Sequence, residues 1–140
     1  MANVFPKQVK AEIVDNWITE SVNWKVALLD NGFVYDHTTD DLYTDVTGDE
    51  LPNGNGYTTG GATLAGRAGN YVDTYDYYLD ATNTAWTSAT FVNVRYVVVY
   101  ETVANKIRFI FDLGANYSCT NSTFTVVWST TPLGLITLTS

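Results

Sequence analysis

Between Thr90 and Tyr100 one set of alternate positions, Val92, Val94, Tyr96, Val98 and Tyr100, is apolar from end to end. Successive side chains of a strand point to opposite faces, so this pattern predicts a β-strand with one face committed to a core. The other face runs Phe91, Asn93, Arg95, then Val97 and Val99. It is partly polar at first and apolar later, as expected of a strand that passes from an exposed zone into a covered one. On this reading Val97 and Val99 are covered within the domain, whereas Asn93 and Arg95 lie where a neighbouring subunit or element could cover the sheet. For Arg95 a salt bridge is read ahead of a partner contact.

The rest of the chain fits a β-rich domain. Its 140 residues predict one domain over positions 1–140, and a chain of this size buries roughly 70% of the surface it would expose unfolded. Hydrophobic residues are 46% and charged residues 16%, a balance that favours a packed core over disorder. Seven Lys and Arg against fifteen Asp and Glu give a net charge of −8, with no basic cluster to meet phosphates. Nucleic acid is therefore excluded as a partner. A membrane is excluded as well, since there is neither an apolar run of spanning length nor a basic amphipathic helix. The N-terminus lacks the pattern of a signal peptide, and the single cysteine, Cys119, allows no internal disulfide; both predict synthesis and assembly in the cytoplasm.

Along the chain, Val9, Ile13, Val14 and Trp17 repeat at helical spacing, predicting one N-terminal helix over Lys7–Trp17 behind an extended arm at 1–7. Trp24–Asp30 reads as a strand apolar on both faces, turned by Asn31-Gly32. Phe33 to Asn55 reads as a structured surface loop in which Thr39 caps a helical turn. Paired strands are expected at Ala62–Val72 and Tyr75–Ala81. Another is expected at Ile107–Leu113, a loop at Gly114–Ser122, and further strands from Phe124 and over Leu135–Thr139. The total is seven or eight mostly antiparallel strands with one helix. The predicted class is all-β: a β-sandwich, with a jelly roll and a partly open barrel as its variants.

No catalytic set emerges. His37 is the only histidine and sits among Thr and Asp, so schemes that need a base held by a third group are weak. Cys119, in the expected polar loop, has no basic neighbour to activate it. Asp40, Asp41, Asp45, Asp49 and Glu50 form the densest acidic run, without the spacing of a calcium loop, and read as solvated surface. Gly54, Gly56, Gly60 and Gly61 are followed by no Lys-Ser or Lys-Thr, so they mark tight turns or close backbone approach. Tyr96, Tyr100 and Trp128 fall on apolar strand faces and read as core. No cofactor and no metal site is expected.

Four segments taken in order carry a resemblance: Trp24-Lys25-Val26-Ala27-Leu28-Leu29; Tyr57-Thr58-Thr59-Gly60-Gly61-Ala62-Thr63-Leu64; Trp86 followed by Arg95-Tyr96-Val97-Val98-Val99-Tyr100; and Asp112-Leu113-Gly114 with Phe124-Thr125-Val126-Val127-Trp128. Together they resemble a family of small tailed-bacteriophage virion proteins encoded near the capsid genes. The resemblance spans nearly the whole chain and departs from the family pattern at Val103–Lys106, where the connection between two strands is shorter. Its motifs describe a fold and transfer no active-site residues.

The resemblance implies a non-enzymatic virion structural protein, foremost a head decoration or cement protein. Such a protein would bind the outer surface of the major capsid protein lattice after synthesis in the host cytoplasm. It also implies a homo-oligomer, a trimer ahead of a dimer. The expected capsid or subunit contacts are Ala2, Asn3, Val4 and Phe5 of the arm, Tyr35, Asp40 and Asp41 of the long loop, and Arg95. Alternatives are a tail, baseplate or fibre-associated protein, or a carbohydrate-binding module that would display several aromatics on one sheet face.

Overall fold

The computed structural model describes residues 16, 19, 23–71, 77–128 and 137–139. Among the described residues the fold is mostly antiparallel β-sheet, with a short helix at Tyr43–Val46. Its elements are β1 (Trp24–Asp30), α1 (Tyr43–Val46), β2 (Ala62–Thr63), β3 (Ala68–Tyr71), β4 (Tyr77–Asp80), β5 (Thr84–Glu101), β6 (Ile107–Val127) and β7 (Thr137–Thr139). Five of the strands form one sheet in the order β2-β1-β5-β6-β7; β3 and β4 pair separately.

β1 is covered on both faces, as its two apolar faces predict. Val26 and Leu28 join one buried cluster, Ala27 and Leu29 the other. The first cluster holds Trp86, Phe91, Val97, Val99, Phe124 and Val126. The second is closed by Phe33, Val46, Val98 and Tyr100. Transfer of each such side chain from water stabilises by about 1.5–3 kcal/mol, so the stacked aliphatics of β1 and β5 are a main source of cohesion.

The alternation on β5 does not run as the sequence suggests. Register shifts flank Val94 on both sides, between Phe91 and Val94 and between Val94 and Tyr96, and Asn93 has φ 57°. The first adds one residue to β5, the second sets four residues of β6 opposite one of β5, and together they break the inward and outward alternation; Asn tolerates the left-handed conformation better than most side chains. Phe91, Val94, Val97 and Val99 therefore share one cluster, while Tyr96, Val98 and Tyr100 face the other. Val92, expected in the core, is 65% exposed.

β6 also corrects an expectation. Gly114–Ser122 is strand, not loop. Val94 pairs with Tyr117 and Tyr96 with Asp112, so residues 113 to 116 of β6 bulge out opposite the single residue Arg95. Gly114, with φ 75°, supplies the turn of that bulge. Cys119 accordingly lies on a strand and is buried, its Sγ 3.4 Å from the Ala89 carbonyl oxygen.

The long loop is less superficial than predicted, since Phe33, Val46 and Leu51 are buried. Thr39 is not its helix cap. Asp36 organises the turn instead, accepting the Thr38 amide at 2.9 Å and the Thr38 hydroxyl at 2.6 Å, and α1 starts later, after Leu42. The expected strand Ala62–Val72 is split: Ala62 and Thr63 pair with β1, whereas 68–71 pairs with β4. Asn16 and Thr19 are helical and exposed. The rest of the helix predicted at Lys7–Trp17, and the arm at 1–7, lie outside the described residues, as does the start of the strand predicted at Leu135–Thr139.

Candidate functional site

The segment from Phe33 to Gly61 is fastened to the sheet through one carboxylate. Glu50, read from the sequence as solvated, receives the Tyr43 hydroxyl at 2.5 Å on one oxygen, and on the other the Tyr57 hydroxyl at 2.7 Å and the Gly60 amide at 2.8 Å. The Tyr57 oxygen in turn accepts the Leu28 amide at 3.0 Å, two residues past the end of the β1–β2 pairing. Tyr100 stacks on Tyr43 with centroids 4.2 Å apart and donates its hydroxyl to the Gly60 carbonyl. Burial first, then the Glu50 carboxylate, pushes the Tyr43 hydroxyl well above the ordinary phenol value. Burial does the same to Tyr57, against the pull of the Leu28 amide. Tyr100 is pushed up to about 12, by burial and then by the Glu50 charge.

Gly61 completes this fastening by close approach. A Cβ there would stand 1.9 Å from the Val26 carbonyl oxygen, and φ is +74°. Only glycine lets the turn lie against β1.

Held in this way, the loop forms one side of a groove over β5 and β6. Tyr35, Asp40 and Asp41 wall a space of about 560 Å³ whose floor is Tyr96, Ile107 and Ile110 and whose end is Asp112. A continuation of similar volume runs past Asp41, Leu42 and Asp45 to Lys106. The Phe33 ring meets Tyr96 edge-on with centroids at 5.1 Å, fixing the floor. The Asp41 carbonyl accepts the Ile107 amide at 2.9 Å and ties the loop to the start of β6. Tyr35 is 56% exposed and its neighbour Val34 82%. Two adjacent large apolar side chains in water at the lip of a groove are the feature least explained by folding alone.

Arg95 lies at the end of this groove. Its Nε is 2.6 Å from one oxygen of Asp112 and its second guanidinium nitrogen 3.0 Å from the other. The pair is bidentate. Arg95, followed by the Gly114 amide, holds the Asp112 carboxyl below its ordinary value. Thus Tyr35, Asp40, Asp41 and the partner of Arg95 come together on one surface. Ala2, Asn3, Val4 and Phe5 lie outside the described residues. Along Ile107–Leu113 the residues Arg108, Ile110 and Asp112 alternate with Ile107, Phe109, Phe111 and Leu113, which puts Ile110 and Asp112 on one strand face. Their convergence with a loop some 70 residues earlier had no local signal.

At the adjacent turn Glu101, almost fully buried, accepts amides from Val103 at 2.8 Å, Ala104 at 3.1 Å and Lys106 at 3.0 Å. Burial raises its carboxyl, but these amides and the Arg108 charge together hold it below the ordinary value. Of the remaining candidates, His37 is exposed in a turn. Among the described residues no group of three or more His, Cys, Asp or Glu is placed to hold a metal ion. No helix among them is long and apolar enough to cross a membrane. No family model, curated protein or solved structure matches this chain.

Proposed function

We propose that this chain is a non-enzymatic structural protein of a tailed-phage particle, a decoration protein that binds the outer face of the major capsid protein lattice as an oligomer. The observation that carries the reading is the exposed Val34-Tyr35 pair at the lip of the groove walled by Asp40 and Asp41. It is a contact-type surface, apolar with a charged rim, held on a rigid sheet. The ordered motifs support the same reading by their placement. Trp24–Leu29 is β1, Gly60-Gly61 is the closest backbone approach to it, Arg95–Tyr100 is the covered half of β5, and Asp112–Gly114 opens the β6 bulge.

A sandwich-type closure of the sheet belongs to this proposal. Its support is that Trp86, Phe91 and Phe124, from one half of the β5–β6 hairpin, share a core with Val97 and Val99 from the other, with bulges between. A decoration protein meets many copies of one lattice site, so oligomerisation multiplies a modest affinity per contact.

The experiment is to mix purified protein with expanded capsid shells and locate bound density by cryo-electron microscopy. Ordered density on the outer shell is expected. Density confined to the tail of intact virions, with none on mature shells, overturns the head assignment. Deleting Ala2–Lys7 is expected to lower shell occupancy while leaving the circular-dichroism spectrum unchanged; equal occupancy removes the arm from the contact.

A further inference from the structure

We propose that the half of the β5–β6 hairpin farther from its turn, where Thr84 to Val94 pair with Val126 to Tyr117, is the surface on which two copies of this chain meet, face to face across a two-fold axis. The self-contact stands on this surface alone; its use on a capsid lattice rests on the function proposed above.

Charge distribution is the first ground. Every Asp, Glu, Lys, Arg and His of the chain lies at or before Asp112, and none falls between Ala81 and Val94. This half of the hairpin is therefore uncharged on both strands, while the chain as a whole carries −8. Folded surfaces ordinarily intersperse charges of both signs, and charged residues are depleted where a protein contact has its core. Two copies that met through the loop Asp36–Glu50 would press acids together. Through this half of the hairpin the contacting side chains carry no charge at all. Along the strands the bordering described charges are the Arg95–Asp112 pair, which neutralise each other, and half-buried Asp80 ahead of β5.

The exposed face is the second ground. Trp86, Phe91, Val94 and Phe124 turn into the first buried cluster, and Thr87, Thr90 and Val92 on β5 with Ser118, Thr120 and Ser122 on β6 are left exposed. Val92, 65% exposed, is a large apolar side chain amid small hydroxyl ones. At the bulges the backbone is satisfied within the hairpin: the Ser118 hydroxyl accepts the Asn93 amide at 3.2 Å, and the Thr90 hydroxyl accepts the Asn121 amide at 3.0 Å. The contact is therefore made by side chains across the face, not by an added strand. The uncharged turn Asn53–Gly56 lies along β5, where the Asn55 carbonyl accepts the Thr90 amide at 2.9 Å, and it widens the footprint.

Symmetry and area fix the rest. One face meeting itself is an isologous contact that closes at two copies, so the unit is a dimer and not the trimer that the resemblance implies. Strands of this length run about 35 Å, and two of them with the turn span about 10–14 Å, which gives about 400–500 Å² per copy. A standard interface takes about 800 Å² per partner, so this contact belongs to the weak class, with an expected dissociation constant of about 10–100 μM. Copies held on one lattice would have a local concentration above that value.

The test is sedimentation velocity of the full-length protein from about 5 μM to about 1 mM, at about 0.05 M and about 0.5 M salt. The expected result is a monomer–dimer equilibrium that tightens with salt, because screening weakens the −8 repulsion and the contact contains no ion pair to lose. Val92→Asp and Thr120→Asp, made separately, each set like charges across the axis. Each should weaken association at least about tenfold with the circular-dichroism spectrum unchanged. Val34→Asp adds the same charge outside the face and should leave the dimer within about twofold. A monomer at the highest concentration, a trimer, weakening by salt, no loss in the two face variants, or an equal loss in Val34→Asp overturns the proposal. Shell binding separates the two readings. A dimer with no density on any shell leaves the face and removes decoration. Density from a protein that stays monomeric in solution leaves decoration and removes the self-contact, and if Val92→Asp abolishes that density the lattice is the occupant instead.

Discussion

Glu50 and Tyr57 are joined by a hydrogen bond of 2.7 Å, and through it a loop carboxylate reaches the edge of β1, because the same tyrosine oxygen accepts the Leu28 amide. Tyr57→Phe removes the donor to Glu50 and strands a buried N–H on β1. The expected loss is about 1–3 kcal/mol, measured as a lower urea midpoint at unchanged m value. A midpoint equal to wild type would show that the network adds nothing.

The same network makes stability sensitive to alkali. A tyrosine whose folded value is raised stabilises fully below its unfolded value, near 10.0, and that contribution is lost as pH rises through the folded value, about 12 for Tyr100. Stability should therefore fall between these limits. Absorbance at the tyrosinate band should show Tyr43, Tyr57 and Tyr100, three of ten tyrosines, ionising late and together with unfolding. Ten tyrosines titrating near the ordinary value in folded protein would contradict this.

Glu101 sets the opposite limit. Its folded carboxyl value lies below the ordinary 4.5, so its contribution is present above that value and is lost as pH falls through the lower folded one. Glu101→Gln should lower the denaturation midpoint at neutral pH, with the gap to wild type closing in acid. A gap constant with pH would mean that the charge is irrelevant to capping the turn.

Two glycines with nearly the same φ, +74° at Gly61 and +75° at Gly114, separate backbone strain from crowding. Gly114→Ala meets open space and should cost about 1–2 kcal/mol, the penalty of the left-handed conformation alone. Gly61→Ala drives a Cβ into the Val26 carbonyl and should cost about 3 kcal/mol or more. Thermal melts of the two variants give the comparison; equal shifts would refute the close approach.

The bulged phase of β5 yields a paired test. Val92→Thr, at a side chain 65% exposed, should change stability by less than about 0.5 kcal/mol, whereas Val94→Ala, in the core, should cost about 2 kcal/mol. Similar costs at both sites would restore the uninterrupted alternation.

Strand existence was legible wherever the residues alone decide it. Trp24–Asp30 is apolar on both faces and is buried on both; Phe124 to Val127 alternates and ends β6. The phase of Thr90–Tyr100 was not legible, because a bulge depends on which partner residues stand opposite, and here they are the four-residue stretch 113–116 of β6. Gly114–Ser122 read as a loop for the same reason: its polar, Asn-rich composition resembles a turn until β5 is laid beside it. Glu50 looked solvated since its three partners, Tyr43, Tyr57 and Gly60, come from segments whose contact is made only by the folded loop.

Local chemistry therefore determined the all-β class, the two apolar faces of β1 and the glycines at close backbone approaches, since these follow from side-chain period and steric limits on the backbone. Tertiary structure decided which side of β5 each valine takes, and it brought Tyr35, Asp40 and Asp41 to the Arg95–Asp112 pair in one groove. Contacts between residues far apart in sequence are settled by packing of whole elements, and no local pattern encodes them.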